Sequence, residues 1–141
     1  MRTPYNAPMR YLGVDPGGSR FGLALGDDIT GVVTALSIVP YVGAEGAART
    51  IVEVARTHNA ERVVMGLPTS ADGSETPACR RSHAIADAIT GLGLEVSMQP
   101  EYLSTDEARR RARHAGMGPR EPVDHIAAQV LLEDFLTGRG Q

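Results

Sequence analysis

The chain has 141 residues, of which 42% are hydrophobic, enough for one domain with its own core and no metal or disulfide staples. A formal net charge of −3 excludes a generally cationic nucleic-acid coat, so contact with a polyanion must rest on a local basic face, and all 14 basic residues are arginine. The single Cys79 excludes an internal disulfide and, with no Cys or His cluster at short spacing, makes a poor start for a zinc site; a reducing, cytoplasmic setting is expected.

Residues 1–8 lack the apolar core of a secretory signal and read as a flexible N-terminal tail. No later segment approaches the roughly 18 unbroken apolar residues of a membrane span. One domain is expected over residues 9–138, with 139–141 as a C-terminal tail. Short β-prone runs at 11–14, 21–25 and 32–39, split by Pro-Gly-Gly and Gly-Asp-Asp turns, predict three antiparallel strands. Across 44–59 the apolar residues Ala47, Ala48, Ile51, Val52, Val54 and Ala55 recur at helical spacing, and 62–66 then reads as a fully buried strand.

Residues 67–75 read as a polar loop. Thr76 followed by Pro77 is a good helix start, because proline at the first helical position gives up an N–H that has no partner there. That helix is expected to end near Gly91. Residues 94–98 predict a fifth strand, and Ser104-Thr-Asp-Glu107 is a capping-box pattern opening a third helix through about His114. A flexible connection is expected over 115–121, after which Pro122 opens a last helix to about Thr137. The order βββαβαβαα, with helical crossovers before the fourth and fifth strands, predicts an α/β fold. It should hold a five-stranded mixed sheet, three strands antiparallel and then two parallel, with helices on both faces.

Three carboxylates stand out. Asp15 closes the first apolar run just before Pro16-Gly17-Gly18, which places a charge at a strand's carboxyl end, where open α/β sheets bind ligands. Taken alone it reads equally well as a turn aspartate. Glu101 follows the fifth strand in the same way and alone reads as a loop glutamate, but parallel strands bring both acids to one edge. Asp124 shares a helix face with Ala127, Ala128, Leu131 and Phe135, where an unpaired carboxylate is costly. A first-turn acid favoured by the helix dipole is the alternative there. Hard divalent ions offset the cost, since Mg²⁺ or Mn²⁺ takes carboxylate oxygens plus water, and two such ions serve phosphodiester hydrolysis. Asp27 and Asp28 fall at the opposite edge and read as hairpin-turn residues.

With these residues in view the chain resembles the YqgF/RuvX family, RuvC-like relatives of Holliday-junction resolvases also described as pre-16S ribosomal RNA nucleases. Four blocks carry the likeness: Leu12-Gly-Val-Asp-Pro-Gly17 with Arg20-Phe-Gly-Leu-Ala-Leu-Gly26; Val64-Met-Gly-Leu-Pro68 through Asp72-Gly73; Glu101-Tyr-Leu-Ser-Thr105 with Glu107-Ala108; and Val123-Asp124 with Ala127-Ala128 and Leu131-Leu132. The resemblance implies a ribonuclease H-like fold with Asp15, Glu101 and Asp124 as metal-binding catalytic acids. It also shows departures: Ser19, Tyr102 and Glu121-Pro122 stand where basic residues are common in the family, which bears on substrate affinity more than on chemistry.

Arg109, Arg110, Arg111 and Arg113 crowd the third helix beside His114, and such a run usually forms a solvated face. Next to a site for a polyanion, Arg109 is the first choice for phosphate contact, with Arg20, Arg80 and Arg81 weaker. Thr69, Ser70, Ser104 and Thr105 lie in loops at the same edge and can hydrogen-bond phosphate oxygens, although Ser104 also serves as a helix cap. Tyr102 suits stacking on an unpaired base or plain packing. His58, His83 and His114 read as surface residues, and His125 points away from Asp124.

The expected function is a two-metal nuclease acting on structured nucleic acid. Trimming of the pre-16S rRNA 5′ end in ribosome biogenesis, with ribosomal precursor particles as partners, is the first reading. The alternative is resolution of Holliday junctions in recombination and repair, which requires paired cuts and therefore a homodimer. No dimer surface is evident, which favours RNA, with a monomer or a homodimer expected. Two other classes compete: an actin-like-fold ATPase, from the loop after Asp15, and a nucleic-acid-binding module without catalysis.

Overall fold

The computed structural model describes residues 8–68, 76–101 and 104–138, with the backbone alone for Glu101, Ser104 and Thr105. Apart from Pro8, the expected tails lie outside the described residues. The elements are β1 (Arg10–Pro16), β2 (Arg20–Asp27), β3 (Val33–Pro40), α1 (Ala44–Thr57), β4 (Arg62–Pro68), α2 (Pro77–Gly91), β5 (Glu95–Glu101), α3 (Ser104–His114) and α4 (Asp124–Gly138). The strands form one five-stranded sheet in the order β3-β2-β1-β4-β5. Pairing is antiparallel from β3 to β1 and parallel from β1 to β5, as expected.

The parallel strands run further than their apolar cores suggest. β4 and β5 stay in register through Gly66↔Gln99, Leu67↔Pro100 and Pro68↔Glu101, so Glu101 is the last residue of β5 and not a residue beyond it. Pro100 is tolerated because β5 is an edge strand, where a missing N–H need not break a ladder bond. Asp15 likewise sits within β1, paired with Gly22.

Alternation along the strands divides two cores. Leu12 and Val14 of β1, with Val63 and Met65 of β4, bury against Ala47, Ala48, Ile51, Val52 and Ala55 of α1 and Ile85 and Ile89 of α2. The helical spacing read from the sequence is thus the buried face of α1, with Val54 only partly covered. On the opposite side Tyr11, Ala24 and Val64 meet Ala128 and Leu132 of α4. α4 buries residues on more than one side because it lies between this face and α3, whose Ala108 and Ala112 pack on Val123 and Ala127.

Local signals hold at α2, where the Thr76 hydroxyl accepts from the Cys79 backbone N–H at 3.2 Å. They hold at α3 as well, which runs from Ser104 to His114 as expected. Glu107 accepts from Arg110 Nε at 2.8 Å and Arg111 Nε at 2.9 Å, because arginines three and four residues ahead offer charged donors on the same helix face. Arg111 also donates to Glu133 at 2.7 Å, tying α3 to α4.

The hydrogen bonds from Arg111 and Arg110 hold the Glu107 carboxyl below the ordinary 4.5. A depressed folded value means the contribution to stability is complete above the unfolded pKa and is lost as pH falls through the folded one. The melting-temperature gap between the parent and Glu107→Gln is therefore expected to be largest near neutrality and to close below pH 4.5. A gap unchanged down to strong acid would show that the carboxylate charge contributes nothing.

No helix among the described residues is long and apolar enough to cross a membrane.

Candidate active site

The carboxyl ends of β1, β4 and β5 lie side by side, and α4 begins against β2 where it pairs with Asp15. Asp15 is 8% exposed, an unusual degree of burial for a carboxylate. Its cross-strand partner is Gly22, and directly opposed residues of an antiparallel pair share a face. At Gly22 a Cβ would run into the carbonyl group of Asp124 and stand 2.5 Å from the His125 nitrogen. The first turn of α4 therefore rests its backbone on β2 in the space a side chain would fill, on the face that carries Asp15. Gly13 extends this contact, its absent Cβ lying 3.0 Å from Leu132 Cβ.

Asp124, the first residue of α4, is 14% exposed at its side chain. Its Oδ1 accepts a hydrogen bond from Arg20 Nε at 2.9 Å. Its Oδ2 stands 2.9 Å from the place a Gly17 Cβ would take, directly after Asp15 and Pro16. The two oxygens thus face different ways, one to a guanidinium and one to the loop behind Asp15. Glu101 takes its place by register. It follows Ser97 and Gln99 at alternate positions, and Ser97 aligns with Val64, which faces α4.

The loop after Asp15 is braced from two sides. Gly17 N donates to Arg20 O at 2.8 Å, closing the turn, and Arg81 Nη1 donates to the carbonyls of Gly17 at 2.7 Å and Gly18 at 3.3 Å. The Arg81 guanidinium lies 5.4 Å from the centre of the Tyr41 ring, and Tyr41 N donates to Ser19 O at 3.0 Å. Arg81, read from the sequence as a weak phosphate ligand, is thus a clamp from α2 onto the turn.

Arg20, another phosphate candidate, is paired with Asp124. Arg109 spends one donor on Pro119 O at 3.2 Å and is otherwise exposed. Ser104 and Thr105 open α3 just beyond β5. Thr69, Ser70 and Tyr102 lie outside the described residues. Asp27 and Asp28 are hairpin residues as expected: Asp27 accepts from the backbone of Ile29 and Thr30, and Asp28 Oδ1 from Met9 N at 3.0 Å. The sequence reading missed Gly22 as the seat of α4 and Arg81 as a brace. Only the spacing Gly22-Leu-Ala-Leu-Gly26, small residues at every second position on one strand face, hinted at the first.

Carboxylate oxygens suit a hard divalent cation, and two of the three expected donors meet on one face, with the absent Cβ of Gly17 leaving space beside Asp124 Oδ2. The donor set therefore fits Mg²⁺ or Mn²⁺. Among the described residues no group of three His, Cys, Asp or Glu forms a ready metal cluster. The proposed third donor, Glu101, is described by its backbone alone.

The five-stranded mixed sheet, three strands antiparallel and two parallel with helices on both faces, is a ribonuclease H-like fold. The chain is similar to Thermus thermophilus RuvC in complex with a Holliday junction substrate, with a TM-score of 0.60 and 16% identity over 94% of this chain and 96% of that one. It is similar to the Fowlpox virus resolvase bound to Holliday junction DNA, with a TM-score of 0.58 and 12% identity over 94% of this chain and all of the other. In sequence it is 39% identical over 135 residues to a candidate pre-16S rRNA nuclease of Anaeromyxobacter sp. Fw109-5, covering 93% of this chain and 98% of that protein. The like-named protein of Anaeromyxobacter dehalogenans 2CP-1 is 40% identical over 136 residues, with the same coverage. The chain belongs to the RuvX family, whose model, described as Holliday junction resolvase, matches residues 9–138.

Proposed function

We propose that the protein is a divalent-metal-dependent nuclease that hydrolyses phosphodiester bonds of structured nucleic acid, acting in the cytoplasm on the 5′ end of pre-16S rRNA. One observation carries the chemistry: Asp15 and Asp124, distant in sequence and both largely buried, share one face at the sheet edge where β5 delivers Glu101. Relatives along almost the whole chain that are named for pre-16S rRNA support the substrate.

In this reading Asp15, Glu101 and Asp124 hold Mg²⁺ or Mn²⁺. The bound ions would supply an activated water and charge stabilisation at the leaving oxygen. The protein's own part is positional. Arg81 and the turn bond at Gly17 fix the loop behind Asp15, and Gly22 seats the helix that carries Asp124. The backbone of the nucleic acid meets arginine donors, Arg109 among them, which hold phosphate oxygens bidentately. Thr69, Ser70, Tyr102, Ser104 and Thr105 complete the proposed contact surface.

The family model's description favours a second reading, resolution of branched DNA by a homodimer. Labelled RNA bearing a pre-16S 5′ extension, single-stranded DNA and a four-way DNA junction, each incubated with Mg²⁺, Mn²⁺ or EDTA, separate the two. Metal-dependent cleavage of the RNA well above that of the junction is expected. Preferential, symmetric cutting of the junction would replace the RNA assignment, and cleavage that persists in EDTA would remove the metal from the mechanism.

A further inference from the structure

The Arg20–Asp124 pair joins a proposed metal ligand to a cation. Arg20 opens β2 immediately after the turn that follows Asp15, and its side chain is 43% exposed while that of Asp124 is 14% exposed. Among the described residues only Nε, on the inner side of the guanidinium, makes a hydrogen bond, to Oδ1 at 2.9 Å. The terminal nitrogens carry the group's other four N–H donors. An ion pair with so much solvent on one partner is held weakly. A divalent ion carries twice the charge on a far smaller body and competes for the same carboxylate.

Resting on the metal-site reading above, we propose that Arg20 is the counter-charge that Asp124 exchanges for metal, and that the released guanidinium then binds a phosphate oxygen of the nucleic acid. One arginine thereby couples the two events. Without metal its inner donor is occupied by Asp124, and with metal the whole fork is offered to the incoming backbone. Because coupling is reciprocal, bound nucleic acid also favours metal loading by keeping the guanidinium away from Asp124. Arg20 suits this task better than Arg81, whose Nη1 is committed to two loop carbonyls, or Arg111, held between Glu107 and Glu133.

The test needs no turnover. Mn²⁺ is titrated into the full chain, followed by the electron paramagnetic resonance signal of the free ion, for the parent, Arg20→Gln, Arg20→Lys and Asp124→Asn. Removing a unit charge a few ångströms from a divalent ion in a partly solvated site should tighten Mn²⁺ binding in Arg20→Gln roughly tenfold. Arg20→Lys should stay near the parent and Asp124→Asn should bind more weakly. Single-stranded RNA is then bound in Ca²⁺ and in EDTA, read by fluorescence anisotropy. In Ca²⁺, Arg20→Gln should bind several-fold more weakly than the parent, with a log–log salt slope shallower by about one; in EDTA the two should nearly coincide.

Mn²⁺ binding by Arg20→Gln equal to or weaker than that of the parent would overturn the exchange and make Arg20 a plain support for the carboxylate. An RNA deficit of the same size in EDTA would overturn the coupling. Both results leave the metal site standing if Asp124→Asn weakens Mn²⁺ binding. A parent that binds no Mn²⁺ overturns the metal site and this inference with it.

Discussion

Asp15→Asn is expected to reduce metal-dependent cleavage by about 10³-fold or more while the protein stays folded. The change is nearly isosteric, so the site at the end of β1 keeps its shape and loses a charge. A carboxylate that helps hold a divalent ion contributes several kcal/mol of transition-state stabilisation through it, and each factor of ten in rate corresponds to about 1.4 kcal/mol. Cleavage rate and melting temperature measured on the same preparations separate chemistry from folding. A variant that melts like the parent and still cuts at a comparable rate would remove Asp15 from the mechanism, and the expectation for Glu101 and Asp124 would weaken with it.

Gly22→Ala should do damage of a different kind. The added methyl would overlap the backbone carbonyl of Asp124 and stand 2.5 Å from the next nitrogen, and backbone in a packed helix cannot step aside as a flexible side chain does. Overpacking of this sort costs about 1–3 kcal/mol, and displacement of a catalytic group by about 1 Å costs roughly 10²-fold in rate. Gly22→Ala is therefore expected to lose stability and activity together, by urea titration and by cleavage. Gly18→Ala, four residues earlier in the same loop-and-strand segment, is the control, because nothing lies within 4 Å of the position its Cβ would take. A Gly22→Ala protein as stable and active as Gly18→Ala would show that the start of α4 is free to shift.

Much of the fold was legible because it rests on local periodicity. The alternating strands, the spacing of Ala47 through Ala55 and the Thr76-Pro77 start each depend on residues within a turn or two of one another, and each is found where expected. The gathering of Asp15 with Asp124 was also readable, since a strand end and a polar residue on an apolar helix face both point toward the sheet edge. What escaped was contact across long stretches of chain. Arg20 meets Asp124 across 104 residues and Arg81 meets Gly17 across 64, and neither partner leaves a mark in the other's neighbourhood. The Ser104-to-Glu107 pattern, a purely local signal, marked the start of α3 correctly.

The close seating of α4 on β1 and β2 bears on how such a protein tolerates change through descent. One helix carries Asp124 at its tip and fills the second core with Ala128 and Leu132 along its length, and it does so by lying against strand positions that bear little or no side chain. Under the proposed mechanism, drift at Gly22 is consequently judged twice, by folding and by turnover. The exposed side of α3, with Arg110 and Arg113, lies apart from that seat. New substrate preferences can accumulate there and in the flanking loops while the seat of the helix stays fixed.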